Sequence, residues 1–234
     1  MTLEVFPVIH INEVSQVLAQ AEHCYESGAD GIYLIDHNSR SDPTFLVQTY
    51  NEVDDHYPGR FIGLNFLQLT SGYSAFSFIY NALQKGRIQR QPDSIWEDDA
   101  RPRRYELMNL REDHPELALI RYLGGVAFKY TSTYTDHPGL ATTEAKRLAP
   151  VVDVVTTSGK GTGHPPSPEK IKVMKNAIGS KKLAVASGIS ADNIASYSGL
   201  FDQLLVSTSI EVVPYSGIFE PDKLKQLIEL AKTI

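Results

Sequence analysis

Eight short β-rich runs alternate with longer stretches of helical period along the whole 234-residue chain, with no Ser/Gly linker and no break in composition. Some runs are apolar almost throughout, as in Val151-Val152-Asp153-Val154-Val155, the pattern of parallel strands covered on both faces. The length is close to the roughly 250 residues of a closed barrel. Together these observations predict an α/β fold, a single (β/α)8 TIM barrel spanning residues 1–234, with a doubly wound open sheet as the runner-up.

In chain order, the first run is 5–11, followed by a helix with Val14, Val17, Leu18 and Ala21 on one face. Runs 31–37 and 61–67 read as the second and third strands. A fourth at 94–97 is required chiefly by the count, because Arg-rich and acidic segments replace clean periodicity over 84–123, where an irregularity or insertion is expected. Runs 124–130, 151–157, 183–187 and 201–207 complete the eight. Ser167 ahead of Pro168 marks a helix start, and Ser190 can cap a turn carrying Asp192 near its positive end. Glu220-Pro221-Asp222 opens the last helix, where Leu224, Leu227, Ile228 and Ala231 repeat the core-facing spacing.

Composition narrows the function classes. With 42% hydrophobic and 21% charged residues the chain is an ordinary globular domain rather than a disordered or collagen-like one. Lys plus Arg number 22 against 28 for Asp plus Glu, a net charge of −6, so no whole-molecule field gathers nucleic acid or anionic lipid. Nucleic acid is therefore not an expected partner. No segment approaches the ~20 apolar residues of a membrane span, and the run after Met1, interrupted by Pro7 and His10 and lacking a basic leader, reads as a core strand rather than a secretion signal. The single cysteine, Cys24, cannot form an intramolecular disulfide and reads as a packed thiol; a reducing, cytoplasmic location is expected.

In such a barrel the C-terminal strand ends converge on one mouth, where chemistry is sought first. From the first half the mouth receives His10, Asp36, His37, Asn38 and Asn65, then the acidic run Glu97-Asp98-Asp99. From the second half come Lys129, then Thr156, Thr157 and Ser158, then Ser187 and Gly188, then Ser207, Thr208 and Ser209. Ionisable groups crowd the first half. Small hydroxyl residues and glycines fill the second, which suits an anion held by backbone N–H groups.

The sharpest local signal is Thr157-Ser158-Gly159-Lys160-Gly161-Thr162-Gly163, a Gly-rich loop after a strand and before a helix start. It is neither the dinucleotide fingerprint nor a Walker loop, and alone it also fits a surface turn. Ala186-Ser187-Gly188-Ile189-Ser190 and Val206-Ser207-Thr208-Ser209-Ile210 repeat its chemistry after the next two strands, where this fold commonly cradles phosphate. Ser158, Gly159, Gly161, Thr162, Gly163, Ser187, Gly188, Ser207, Thr208 and Ser209 are thus the candidate phosphate-binding residues.

The same loops, with the His-Pro-Pro that follows Gly163 and the Ala191-Asp192-Asn193-Ile194 turn, resemble the BtpA family of TIM-barrel proteins, most clearly over about 124–211. The resemblance includes Lys129 after Val126-Ala127-Phe128, is partial at Pro7-Val8-Ile9-His10 and Gly63-Leu64-Asn65-Phe66-Leu67, and disappears over 68–123. It implies a phosphate-binding-type barrel. The wider ribulose-phosphate-binding barrels include isomerases, lyases and aldolases, whereas the BtpA family itself is known through a role in photosystem I accumulation.

Lys129, ending an apolar run, is expected to be partly desolvated and so to serve as a base, a Schiff-base nucleophile or an oxyanion partner, unless it is a salt-bridged rim lysine. Asp36, His37 and His10, with Asn65 beside them, complete the candidate catalytic set, as an acid–base group or rim hydrogen-bonders. A metal-dependent hydrolase at His10, Asp36 and His37 is a further alternative, but no dedicated ligand motif occurs and no metal or other cofactor is expected. Glu97-Asp98-Asp99 beside Arg101 reads either as carboxylates presented to a ligand or as a solvated, salt-bridged loop. Six of the ten arginines, Arg87, Arg90, Arg101, Arg103, Arg104 and Arg111, fall in one segment. They read as a phosphate clamp or as an interface with a partner, a homo-oligomer included. The sequence thus predicts an isomerase, lyase or aldolase-type enzyme on a small phosphorylated metabolite. The alternative is a non-catalytic assembly or accessory factor that uses 84–111 as its interaction surface.

Overall fold

A computed structural model describes residues 2–38 and 42–234. Eight parallel strands close into a barrel in sequence order: β1 (Glu4–His10), β2 (Ile32–Ile35), β3 (Ile62–Asn65), β4 (Ser94–Glu97), β5 (Arg121–Gly125), β6 (Val154–Thr157), β7 (Lys182–Val185) and β8 (Gln203–Val206). β8 pairs back onto β1 from Glu4↔Gln203 to Pro7↔Val206. Around them lie α1 (Val14–Glu26), α2 (Thr44–His56), α3 (Gly72–Gln84), α4 (Arg104–Asp113), α5 (Pro138–Leu148), α6 (Pro168–Ala177) and α7 (Pro221–Ala231). No helix among the described residues is long and apolar enough to cross a membrane.

Strand alternation sorts the core into two layers. Val8, Tyr33, Ile35, Trp96, Leu123, Val154, Ala184 and Leu205 fill the barrel. The outward-facing Ile9, Leu34, Leu64, Ile95, Val155 and Leu183 meet helix residues such as Val17, Tyr50, Phe76, Ile171 and Leu227. Inside, Tyr33 donates to Ser94 Oγ at 2.9 Å, and its ring leaves no room on β3 for a side chain at 63, where a Cβ would sit 2.2 Å from it.

Four aspartates bind the lower rim. Asp30, Asp93, Asp153 and Asp202 each stand ahead of an even-numbered strand, and their carboxylates accept the N–H of Val5 (2.8 Å), Ile62 (2.8 Å), Tyr122 (2.8 Å) and Leu183 (2.6 Å) near the start of the odd strand before it. Each aspartate N–H returns a bond to the carbonyl of the same residue. This reciprocal pairing sets register where the ladders begin. Arg90 pairs with Asp93, Arg111 with Asp153 and Lys175 with Asp202 in the same layer.

Three expectations are corrected. The segment 84–123 contains no insertion: β4, α4 and a 3₁₀ turn at Pro115–Leu119 form a regular unit leading into β5. β5 starts and ends earlier than the run 124–130. Its Gly124 and Gly125 lie within the ladder because a Cβ on Gly125 would fall 1.9 Å from the Asp98 carbonyl oxygen, and one on Gly124 2.3 Å from Val152. Of the apolar residues that follow, Phe128 packs on the barrel interior, edge-on to Trp96, while Val126 and Ala127, the latter at φ 49°, join the outer core. The segment opened by Ser190 is only a 3₁₀ turn, Ile194–Tyr197. Ser190 donates its N–H to Asn193 Oδ1 and accepts from Asn193 and Ile194 at its carbonyl, so it closes a tight turn without capping a helix.

Candidate functional site

The upper rim encloses a cavity of about 790 Å³ whose wall includes His10, His37, Trp96, Asp98, Lys129, Tyr130, Thr162, Gly163, Ser187, Gly188 and Ser207 to Ser209. Strands β4 and β8 are diametrically opposite in an eight-stranded ring, so Asp98, following β4, faces the loops that follow β7 and β8.

Of the predicted catalytic residues, Lys129, His10 and His37 line this cavity. Lys129 does not end a strand. It lies in the β5–α5 loop, its N–H donating to Ser158 Oγ at 2.7 Å and its ammonium to Thr162 Oγ1 at 3.5 Å. Asp36 is fully buried outside the lining, its Oδ1 accepting the Asn38 N–H at 2.8 Å and its carbonyl the Gln68 amide at 2.9 Å. Asn65 is likewise buried and donates to Asp98 Oδ1 at 3.4 Å, which makes it a support for that carboxylate.

Of the predicted phosphate residues, Thr162, Gly163, Ser187, Gly188, Ser207, Thr208 and Ser209 line the cavity, whereas Ser158, Gly159 and Gly161 do not. Ser158 is buried beneath it, linking Lys129 N–H to the Gly159 carbonyl. Gly159 is required by space, since a Cβ would lie 2.0 Å from the His164 carbonyl oxygen; one on Gly161 would find only Tyr130 Oη at 3.5 Å and His164 Nδ1 at 3.8 Å. Gly188 needs its glycine twice over, having φ +66° and Pro165 N only 2.2 Å from any Cβ.

The serine hydroxyls already have acceptors inside the protein. Ser187 Oγ reaches the carbonyls of Gly161 (2.8 Å) and His164 (2.7 Å), Ser207 Oγ reaches Glu211 Oε1 (2.8 Å), and Ser209 Oγ reaches the Ile189 carbonyl (2.7 Å). With one proton each, they tie the loops together rather than donate to an anion. By contrast, the N–H groups of Gly163, Gly188, Thr208 and Ser209 find no backbone acceptor among the described residues. These are the donors a ligand can use.

Electrostatics divide the cavity. Burial pushes the Asp98 carboxyl up to about 6, against the pull of the Lys129 charge and the Asn65 hydrogen bond. Burial lowers Lys129, with Asp98 partly restoring it. His10 and His37 stack with centroids 4.7 Å apart. Burial, then His37 and Lys129, brings His10 down to about 4, and burial also lowers His37, so both rings are neutral at pH 7. Lys129 is the only Lys or Arg among the described lining residues. No group of three or more His, Cys, Asp or Glu among the described residues is arranged to hold a metal ion.

One reading left open by the sequence is narrowed, and one residue, Lys170, lay beyond it. The acidic run is not a solvated loop: Glu97 is 4% exposed, Asp98 faces the cavity, and only Asp99 pairs with Arg101, at 2.5 Å. Lys170, on α6, is fully enclosed and donates to the carbonyls of Ala127 (2.9 Å) and Ser158 (2.8 Å), fastening the Lys129 loop to the Gly-rich loop. Its spacing from Met174, one turn on along the buried face, is the signal that could have found it. The Arg-rich segment is divided between the rims. Arg90 and Arg111 bind aspartates below; Arg101, Arg103 and Arg104 lie above, with Arg103 over the Tyr73 ring at 3.7 Å and Arg104 over Tyr105 at 4.3 Å.

No described protein family and no curated protein matches the sequence. In three dimensions the chain is similar to phosphoribosyl anthranilate isomerase from Thermus thermophilus, 14% identical with a TM-score of 0.65, over 99% of this chain and 100% of that one. It is also similar to tryptophan synthase from Mycobacterium tuberculosis (14%, TM-score 0.64, 98% and 91% covered) and to a native KDPGal structure (11%, 0.68, 100% and 98%). At these identities the likeness establishes the shared barrel fold. Another similar phosphoribosyl anthranilate isomerase structure, 15% identical with a TM-score of 0.64, is a complex with reduced 1-(o-carboxyphenylamino)-1-deoxyribulose 5-phosphate.

Proposed function

We propose that the protein is an enzyme of the isomerase, lyase or aldolase type, acting on a small phosphorylated metabolite whose phosphate sits against the N–H groups of Gly163, Gly188, Thr208 and Ser209. The observation that carries this reading is that the residues of those unengaged amides line one cavity together with Asp98, which follows the opposite strand β4, and Lys129, which lies beside Thr162. Backbone N–H groups without acceptors are rare, and clustered ones form an anion site. The resemblance of 124–211 to the BtpA family supports the same assignment, as does the phosphorylated ligand of the isomerase complex.

Binding energy from the phosphate, which does not react, orients the carbon skeleton across the barrel. With its carboxyl near 6, Asp98 is largely ionised at neutral pH and is suited to take a proton from carbon or hydroxyl. The Lys129 side chain lies where it can stabilise the oxyanion that develops, the neutral His10 ring can donate a hydrogen bond to it, and the Asp98 carboxyl, now protonated, returns the proton. This division of roles serves enolisation and retro-aldol cleavage alike. The accessory-factor alternative draws less support, because the arginines of 84–111 do not form one surface.

Thr208→Asp places a carboxylate in the cradle, and the Thr208 hydroxyl makes no side-chain hydrogen bond among the described residues that the change would break. It is expected to weaken inorganic phosphate binding by about tenfold or more, measured by calorimetry. Unchanged phosphate affinity in a folded Thr208→Asp protein would contradict the assignment.

A further inference from the structure

A second cavity, about 520 Å³, opens beside the first and shares Leu67, Asp98 and Tyr130 with it. Glu97 forms part of its wall, almost wholly enclosed, and Glu97 Oε1 has no hydrogen-bond partner among the described residues. Leaving a buried polar atom unmatched is costly, and such atoms recur where a ligand supplies the missing bond. Burial, reinforced by Asp98 and Asp99, raises the Glu97 carboxyl well above its ordinary range. A carboxyl group accepts hydrogen bonds and, when protonated, also donates one.

The rest of the wall has the same mixed character. Arg101 is held in a two-point pair by Asp99 (Nε at 2.8 Å, the terminal nitrogen at 2.5 Å) and also reaches Ser132 Oγ at 3.1 Å, so its charge is already matched. Asp98 stands at the boundary with the main cavity. With its guanidinium already paired to Asp99 and with Asp98 beside it, this wall offers a phosphate or carboxylate no free cation. Hydroxyl groups, which both donate and accept, match this wall.

We propose that the second cavity is the subsite for the far end of the substrate, that this end is uncharged and hydroxyl-bearing, and that Glu97 is a residue that determines specificity for it. The inference rests on the phosphate-cradle reading and extends it from a phosphate to a polyol monophosphate.

The test compares four probes by calorimetry on wild type, Glu97→Gln and Glu97→Leu: inorganic phosphate, ribitol 5-phosphate, 5-aminopentyl phosphate and ribulose 1,5-bisphosphate. Ribitol 5-phosphate is expected to bind wild type about tenfold tighter than phosphate, to keep that advantage in Glu97→Gln, and to lose it in Glu97→Leu, with phosphate affinity equal in all three. The inference is overturned if wild type binds ribitol 5-phosphate no better than phosphate, prefers the amine or the bisphosphate, or keeps its preference in Glu97→Leu. Loss in Glu97→Gln as large as in Glu97→Leu overturns it too. Should phosphate fail to bind at all, free ribitol at high concentration separates the two readings: Glu97-dependent ribitol binding supports the subsite while the cradle falls, and its absence removes both.

Discussion

Lys170→Met is expected to unfold at a temperature lower than wild type by about 6–12 °C, which at about 2–4 °C per kcal/mol for a chain of this size is on the order of 3 kcal/mol. The variant strips the donor from two enclosed carbonyls, Ala127 and Ser158, each costing about 1–3 kcal/mol, and the relief of desolvating an ammonium offsets part of this. The loss should also depend on pH. Burial brings Lys170 down to about 8 from the ordinary 10.5, with Asp136 resisting. The folded state therefore sheds its proton first, so this group's contribution is complete above 10.5 and is lost as pH falls through about 8. The gap between wild type and Lys170→Met should widen between about pH 7 and about pH 9.5, followed by thermal unfolding. A gap that is constant or narrows would mean that the enclosed lysine does not hold these loops.

Gly125→Ala is expected to cost about 3 kcal/mol or more in urea unfolding, because the new Cβ meets backbone rather than a movable side-chain end. The clash is with the Asp98 carbonyl, oxygen at 1.9 Å and carbon at 2.3 Å, so the turn that aims Asp98 must move for the strand to close. Gly161→Ala, with nothing nearer than 3.5 Å, is the internal comparison and should stay within about 1 kcal/mol of wild type. Equal stability of the two variants would refute this account of β5 and of how Asp98 is placed.

The barrel is legible in the sequence because strands buried on both faces must be apolar, and runs such as Val151 to Val155 have no other ready explanation. The same logic places β5 late. Phe128 is apolar because it packs on the barrel interior and Val126 and Ala127 because they pack in the outer core, while Gly124 and Gly125, which resemble a turn, lie in the ladder because the Asp98 backbone and Val152 crowd against them. The mouth is legible as a set of loops, and the roles within it less so. Ser187, Ser207 and Ser209 look like phosphate donors by residue type, but only coordinates reveal that their hydroxyls already bond to Gly161, His164, Glu211 and Ile189. Asp98 and Glu97 sit in an acidic run indistinguishable by composition from a solvated loop. The four rim aspartates are separated by tens of residues, and nothing local in Gly31, Ser94, Val154 or Gln203 announces that the preceding carboxylate clamps a neighbouring strand.

Amide chemical-shift mapping with inorganic phosphate asks most directly whether the upper-rim amides hold an anion. The account predicts saturable shifts concentrated at the N–H groups of Gly163, Gly188, Thr208 and Ser209, with smaller ones at Lys129 and Asp98. Shifts absent from these four amides, or centred on the lower rim around Arg90 and Arg111, would contradict it.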